Sequence, residues 1–215
     1  MTRGLGWTAT IALALGLILS FGYAPREITQ GNVQRIMYLH FPSILTAYLA
    51  FGIVFVGSLA YLFTQNRRWD DLAAASAESG VLFTGLTLVS GAIWGKPTWG
   101  VWWTWDARLT ATAILFVIYL GYLLLRGMVD DPERGARYAA VLGIIGALNI
   151  PIVHFSVLWW RTLHQPPSLF RPGAATMPAA VWSVVLANAV AFALLYAYFA
   201  AKRMSLLKQE QELLT

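Results

Sequence analysis

"SAESGVLFTGLTLVSGAIWGKPTWGVWWTWDARLTATAILFVIYLGYLLL", residues 76–125, decides the fold. It reads as an apolar run, a tryptophan-crowded link and a second apolar run. The runs at 76–94 and 110–125 each come near the ~20 residues a helix needs to cross hydrocarbon. The link at 95–109, punctuated by Gly95, Pro97 and Gly100, is short enough to join them as a hairpin. Four further apolar runs, at 7–23, 44–63, 138–159 and 179–201, bring the expectation to six spans.

Composition agrees. The 215 residues are 58% hydrophobic and only 12% charged, too little charge to cover a soluble surface, and the aromatic and aliphatic content excludes disorder. In a soluble protein a pI near 9.7 would suggest nucleic acid as partner. Beside apolar spans, basic loops are orientation signals, and no nucleic acid is expected. The absence of cysteine excludes disulfides, thiolate metal sites, Cys nucleophiles and a CxxCH attachment site. The run at 7–23, with Arg3 ahead of it, has the outline of a signal peptide. No small-x-small site precedes the turn at Ala24-Pro25, so it is expected to stay as a helix.

The expectation is therefore one all-α integral membrane domain, 1–215, of six transmembrane helices. Nine basic residues fall on the side of the termini (Arg3, Arg67, Arg68, Arg126, Arg134, Arg137, Lys202, Arg203 and Lys208). Six fall on the other: Arg26, Arg35, Lys96, Arg108, Arg161 and Arg171. The positive-inside rule then places both termini in the cytoplasm and loops 24–43, 95–109 and 160–178 outside. Glu27 and Asp106 are the only acids on that outer face. Six cations kept there against the rule suggest an anionic partner, or contact with lipid phosphates. The inner segments "QNRRWDD" and "RGMVDDPERGAR" read as solvated connections, and "KRMSLLKQEQELLT" as an amphipathic continuation of the last helix.

Five of the ten tryptophans lie in residues 94–110. An aromatic belt explains one or two per helix end but not this density. Were "VWWTWD" helical, Trp99 and Trp103 would share one face, and Trp102 and Asp106 another. Such a platform, with Trp105 beside it, suits a large flat apolar ligand met by stacking. His40 in "YLHFPS", just before a Pro42 expected to open the second helix, and His164 in "WWRTLHQPPS" flank it from the other outer loops. Two neutral imidazoles from separate segments can ligate a haem iron. Arg35, Arg108, Arg161 or Lys96 can pair with its propionates. A zinc site or two unrelated histidines would leave the same trace. His154, just after the helix-kinking Pro151, is read as hydrogen-bonded to a neighbouring helix, as are Asn149 and Glu78.

At these residues the chain resembles the cytochrome c maturation protein C (haem exporter protein C) family, the WWD-motif membrane proteins of system I cytochrome c biogenesis. "WGKPTWGVWWTWDARLT" carries the signature, while "RIMYLHFP" and "NIPIVHFSVLWWRTLHQ" extend the resemblance over nearly the whole chain. Phe41 departs from it, standing where a smaller aliphatic residue is expected. The resemblance implies haem b held at the periplasmic face of the bacterial inner membrane, with His40 and His164 as axial ligands. It implies Trp99, Trp102, Trp103, Trp105 and Asp106 as the platform. It further implies transfer of haem to a histidine of a periplasmic chaperone, cytochrome c maturation protein E, in an ABC-type complex with proteins A, B and D. Asp106 would dock that chaperone or position its histidine, or else pair with Arg108 or cap a helix. No GxxxxGK[ST] loop is present, so ATP hydrolysis falls to partners, and this subunit promotes attachment by positioning. A cytochrome c synthase would need more spans and histidines. A permease would need a polar path at mid-membrane, for which only Glu78, Asn149 and His154 are available. A purely structural subunit would bind no haem.

Overall fold

The computed structural model describes residues 2–165 and 177–214; Arg171 and the Pro166-Pro167 exit from the third outer loop lie outside them. The described residues form six helical segments long and apolar enough to cross a membrane: Thr2–Tyr23, Val33–Thr64, Arg67–Trp99, Ala107–Met128, Pro132–Trp159 and Ala179–Glu210. The protein is an all-α, multi-pass membrane protein. Its helices are α1 (Thr2–Ile18), α2 (Met37–Thr64), α3 (Arg67–Trp99), α4 (Ala107–Met128), α5 (Pro132–Ala147), α6 (Asn149–Trp159) and α7 (Ala179–Leu214). Helix α1 ends in a π-helical turn, Leu19–Tyr23, and α2 is preceded by a 3-10 turn, Val33–Ile36.

Most helices reach beyond the apolar runs that reveal them, because hydropathy does not register a polar helix end. Helix α3 starts at Arg67, where the Asn66 side chain accepts from the Arg68 amide as an N-cap. Asp131 caps α5 in the same way, with Pro132 in its first turn. The fifth span is two helices, α5 and α6, joined at Leu148 just ahead of Pro151.

Helix α2 is the hub, packing against α3, α5 and α7. The core joins Ala47, Ala50, Phe51 and Val54 of α2 to Ala73, Ala77 and Phe83 of α3, with Leu115, Tyr119 and Tyr122 of α4 beside them. Alanines let the backbones approach where lipid supplies no hydrophobic drive between helices. Phe51 stacks on Tyr119 at 3.7 Å and 9°. Gly80 makes that stack possible, since a Cβ there would stand 2.3 Å from Phe51 Cε1. Gly80→Ala is expected to cost about 1–3 kcal/mol by overpacking, read as a lower denaturation midpoint in detergent. Helix α1 packs on α7 at the edge and exposes Trp7, Ile11, Leu15 and Phe21, side chains suited to lipid.

Several polar groups inside the spans pair across helices. Asn188 Nδ2 donates to Ser20 Oγ at 3.0 Å, tying α7 to the end of α1. Asn149 Nδ2 donates to the Ala111 carbonyl at 2.7 Å, and Arg203 Nε donates to Glu78 Oε1 at 2.8 Å. The expectation that Asn149 and Glu78 bond neighbouring helices holds. The reading of "QNRRWDD" as solvated holds for Gln65, Asn66, Arg68 and Trp69, which are exposed, but not for Asp70. Asp70, its side chain 2% exposed, accepts from Arg126 Nη1 at 2.5 Å and Nη2 at 2.8 Å. The segment is the first turn of α3, folded under α4, and not a free loop.

Candidate functional site

The three connections at the end of the bundle away from the termini are tied together. Trp94 Nε1 donates to Gln30 Oε1 at 2.9 Å, joining the first connection to α3. The Leu163 amide donates to Asp106 Oδ2 at 3.2 Å, joining the second to the third.

His40 stands on a helix and not in a loop. The 3-10 turn Val33–Ile36 runs directly into α2, so Pro42 falls inside the helix and does not open it. The His40 ring leans on α3: Nδ1 is 3.1 Å from the Thr87 carbonyl and 3.2 Å from Ser90 Oγ. Ser90 Oγ donates its own proton to the Leu86 carbonyl. A carbonyl can only accept, so in the neutral ring Nδ1 carries the proton and Nε2 keeps its lone pair. Trp94 meets the ring edge-on at 5.8 Å. Gly91 leaves the room, since a Cβ there would lie 2.9 Å from His40 Cε1. Thr87, Ser90 and Gly91, which the sequence reading passed over, therefore hold the His40 ring together with Trp94. They occur among the apolar letters of a span, where only the α2–α3 packing reveals their partner.

His164 follows α6 in the third connection, its amide bonded to Thr162 Oγ1 at 3.0 Å. The ring packs edge-on against Trp99 at 4.8 Å and 68°. Burial, and next the charge of Arg108, push its pKa down to about 4, outweighing the opposing pull of Asp106. At neutral pH it is a neutral imidazole able to ligate metal. His40, His164 and Arg108 lie within electrostatic reach of one another.

The tryptophan segment is built differently from the expected helical run. Pro97 is tolerated one turn before the end of α3, and the helix continues to Trp99. There Gly100 turns it off with φ 80, its amide donating to the Lys96 carbonyl. Residues 101–105 follow with no helix, so Trp99 and Trp103 do not share a helical face, nor do Trp102 and Asp106. The aromatic surface nonetheless forms: Trp102 and Trp105 are 58% and 80% exposed, and Trp103 meets Trp105 edge-on at 5.5 Å. Trp159 and Trp160, both exposed and 5.7 Å apart, stand at the end of α6.

Asp106 caps α4, Oδ1 accepting from the Leu109 amide at 2.9 Å. Of the cations expected to meet an anion, Arg35 is spent on backbone: it donates to the carbonyls of Ser20 and Ala24, closing α1 onto α2. Lys96 Nζ donates to the Gly100 carbonyl at 2.9 Å. Arg108 Nη2 donates to the His154 carbonyl at 2.7 Å, while its Nε is buried without a hydrogen-bond partner. Arg161 is exposed at a shallow, open depression that Thr104, Asp106, Thr162 and Leu163 also line. The His154 ring packs edge-on against Phe155 at 4.9 Å and Tyr48 at 6.5 Å.

Among the described residues no three His, Asp or Glu side chains converge as metal ligands. Zinc, which takes three or four protein ligands, does not suit this set. Two imidazoles suit an iron whose equatorial positions a macrocycle fills.

Fold and site together define a six-span membrane protein with two neutral imidazoles and an exposed tryptophan surface gathered at one end. The chain belongs to the family Heme exporter protein C, which it matches over residues 1–214. It is 42% identical over 212 residues to Heme exporter protein C of Bradyrhizobium diazoefficiens, covering 96% of this chain and 80% of that one. It is 41% identical over 157 residues to Heme exporter protein C of Escherichia coli strain K12, covering 73% and 64% respectively. A mitochondrial cytochrome c biosynthesis ccmC-like protein of Marchantia polymorpha is 41% identical over 172 residues, covering 80% and 72%. The matched region thus spans less than two thirds of the Escherichia coli relative's length.

Proposed function

We propose that the chain binds haem b between His40 and His164 and presents it for covalent attachment to a periplasmic chaperone during c-type cytochrome biogenesis. The observation that carries this is the pair of imidazoles packed edge-on against Trp94 and Trp99, one with its Nδ1 engaged by a carbonyl. Family membership supports it, the relatives being named for haem export and cytochrome c biosynthesis. The iron-bound macrocycle supplies the reactive vinyl edge, and the chain supplies position.

Trp99, Trp102, Trp103 and Trp105 offer flat apolar area to the porphyrin. Arg161 is the cation best placed for a propionate, and Arg108 the next, because Arg35 and Lys96 are committed to carbonyls. In this reading the chain is one membrane domain with both termini cytoplasmic and segments 24–43, 95–109 and 160–178, helix ends included, on the periplasmic side of the bacterial inner membrane. Its partners are cytochrome c maturation proteins A, B and D in an ABC-type complex, and protein E as chaperone. The permease alternative is weakened because Glu78 and Asn149 are already paired.

The test is haem staining of protein E recovered from cells expressing the complex with wild-type, His40→Ala or His164→Ala chain. The expected outcome is haem on E with wild type and none with either variant. Undiminished loading by both variants would overturn the proposal.

A further inference from the structure

The two histidines differ in how the nitrogen turned away from the ligand position is held. His40 Nδ1 rests on a helix carbonyl. His164 Nδ1 is buried with no hydrogen-bond partner, and Asp106 Oδ2 lies 3.7 Å from it, just outside bonding distance. We propose that Asp106 is the positioning residue for His164: its Oδ2 closes onto Nδ1–H and turns Nε2 toward the iron. The inference rests on the haem-binding reading above and deepens it.

Three observations converge on this. First, the carboxylate is held in place, with Oδ1 capping α4 and Oδ2 accepting from the amide of Leu163, the residue just before His164. The same carboxylate thus fixes both the backbone and the ring of the ligand-bearing turn. Second, a carboxylate offers about four lone-pair sites, and two N–H groups leave capacity for a third. Third, the Asp106 side chain is only 9% exposed, and that of His164 21%. A buried imidazole N–H without an acceptor is costly, and the one carboxylate beside it needs a shift of less than 1 Å to serve. So little exposure also makes Asp106 a poor docking point for a chaperone. A carboxylate behind a ligating histidine fixes its tautomer and raises its basicity.

The experiment uses the full chain purified in detergent from haem-replete cells, as wild type, Asp106→Asn, Asp106→Ser and His164→Ala. Asparagine and serine both cap helices well, so the start of α4 is kept. Asparagine turns an amide donor toward two N–H groups, and serine is too short to reach His164. Either substitution is expected to weaken haem binding about 10–100-fold. It is expected to shift part of the ferric spectrum from six-coordinate low-spin to high-spin and to raise the midpoint potential. Added imidazole is expected to restore the low-spin band. Should one variant not fold, the other carries the same readouts. If both keep the wild-type spectrum and potential while His164→Ala changes them, Asp106 is a helix cap only and the inference is overturned. If His164→Ala itself leaves the spectrum unchanged, the ligand reading falls and the inference with it.

Discussion

A Gly91→Ala chain is expected to keep its fold and lose most of its haem. The added Cβ would stand 2.9 Å from His40 Cε1 and 3.3 Å from Nδ1. The ring can yield only by leaving the Thr87 carbonyl and the edge of Trp94. Released from that carbonyl, Nδ1 no longer dictates which nitrogen faces the iron. Loss of such a partner weakens metal binding on the order of 10–100-fold. The helix itself gains, because alanine is favoured over glycine by about 1 kcal/mol in a helix interior. Haem titration alongside thermal denaturation separates the two effects. Gly85→Ala is the control, since its Cβ would meet Phe116 at an ordinary 3.4 Å. Wild-type haem affinity in Gly91→Ala would contradict the geometry assigned to His40.

The largest stability effect is expected at the opposite end of the bundle. Asp70→Asn should cost about 3 kcal/mol, because it leaves the partly buried Arg126 guanidinium, 21% exposed, without its carboxylate. Arg67 does not rescue the site, since it is a second cation, 3.9 Å from Asp70 and donating to the Pro132 carbonyl. The pair's net worth is smaller than this cost, because both charges were desolvated to form it. Asp70→Leu combined with Arg126→Leu should therefore recover most of the loss. Denaturation of the two single variants and the double in detergent checks the cycle. A cost below about 1 kcal/mol for Asp70→Asn would mean that the pair behaves as an exposed one.

The six spans were legible because each is a sustained apolar run, and 76–125 alone showed two of them with their link. Helix ends were less legible. Residues 65–71 read as a solvated connection, yet from Arg67 on they are the start of α3, held by the Asn66 cap and by an Arg126 that is 56 residues away from Asp70. No local pattern announces a partner at that separation. His40 and His164 stand out in the sequence because histidine beside tryptophan is rare chemistry in an apolar chain. The run "VWWTWD" misled by offering a helical spacing, when Gly100 in the left-handed region ends α3 before it. Charge alone marks Arg35 as an anion binder, whereas its donations to the Ser20 and Ala24 carbonyls depend on the packing of the end of α1 against the start of α2. Thr87 and Gly91 carry no sequence signal of their role, which exists only where α2 packs on α3.

The central claim is that His40 and His164 are the two axial ligands of one iron. Ferric electron paramagnetic resonance and absorption spectra of the purified chain, with His40→Ala and His164→Ala beside it, test it most directly. The account predicts a low-spin bis-histidine signal in wild type that becomes high-spin in either variant and returns on adding imidazole. A wild-type chain without haem, or a low-spin signal indifferent to both substitutions, would contradict it.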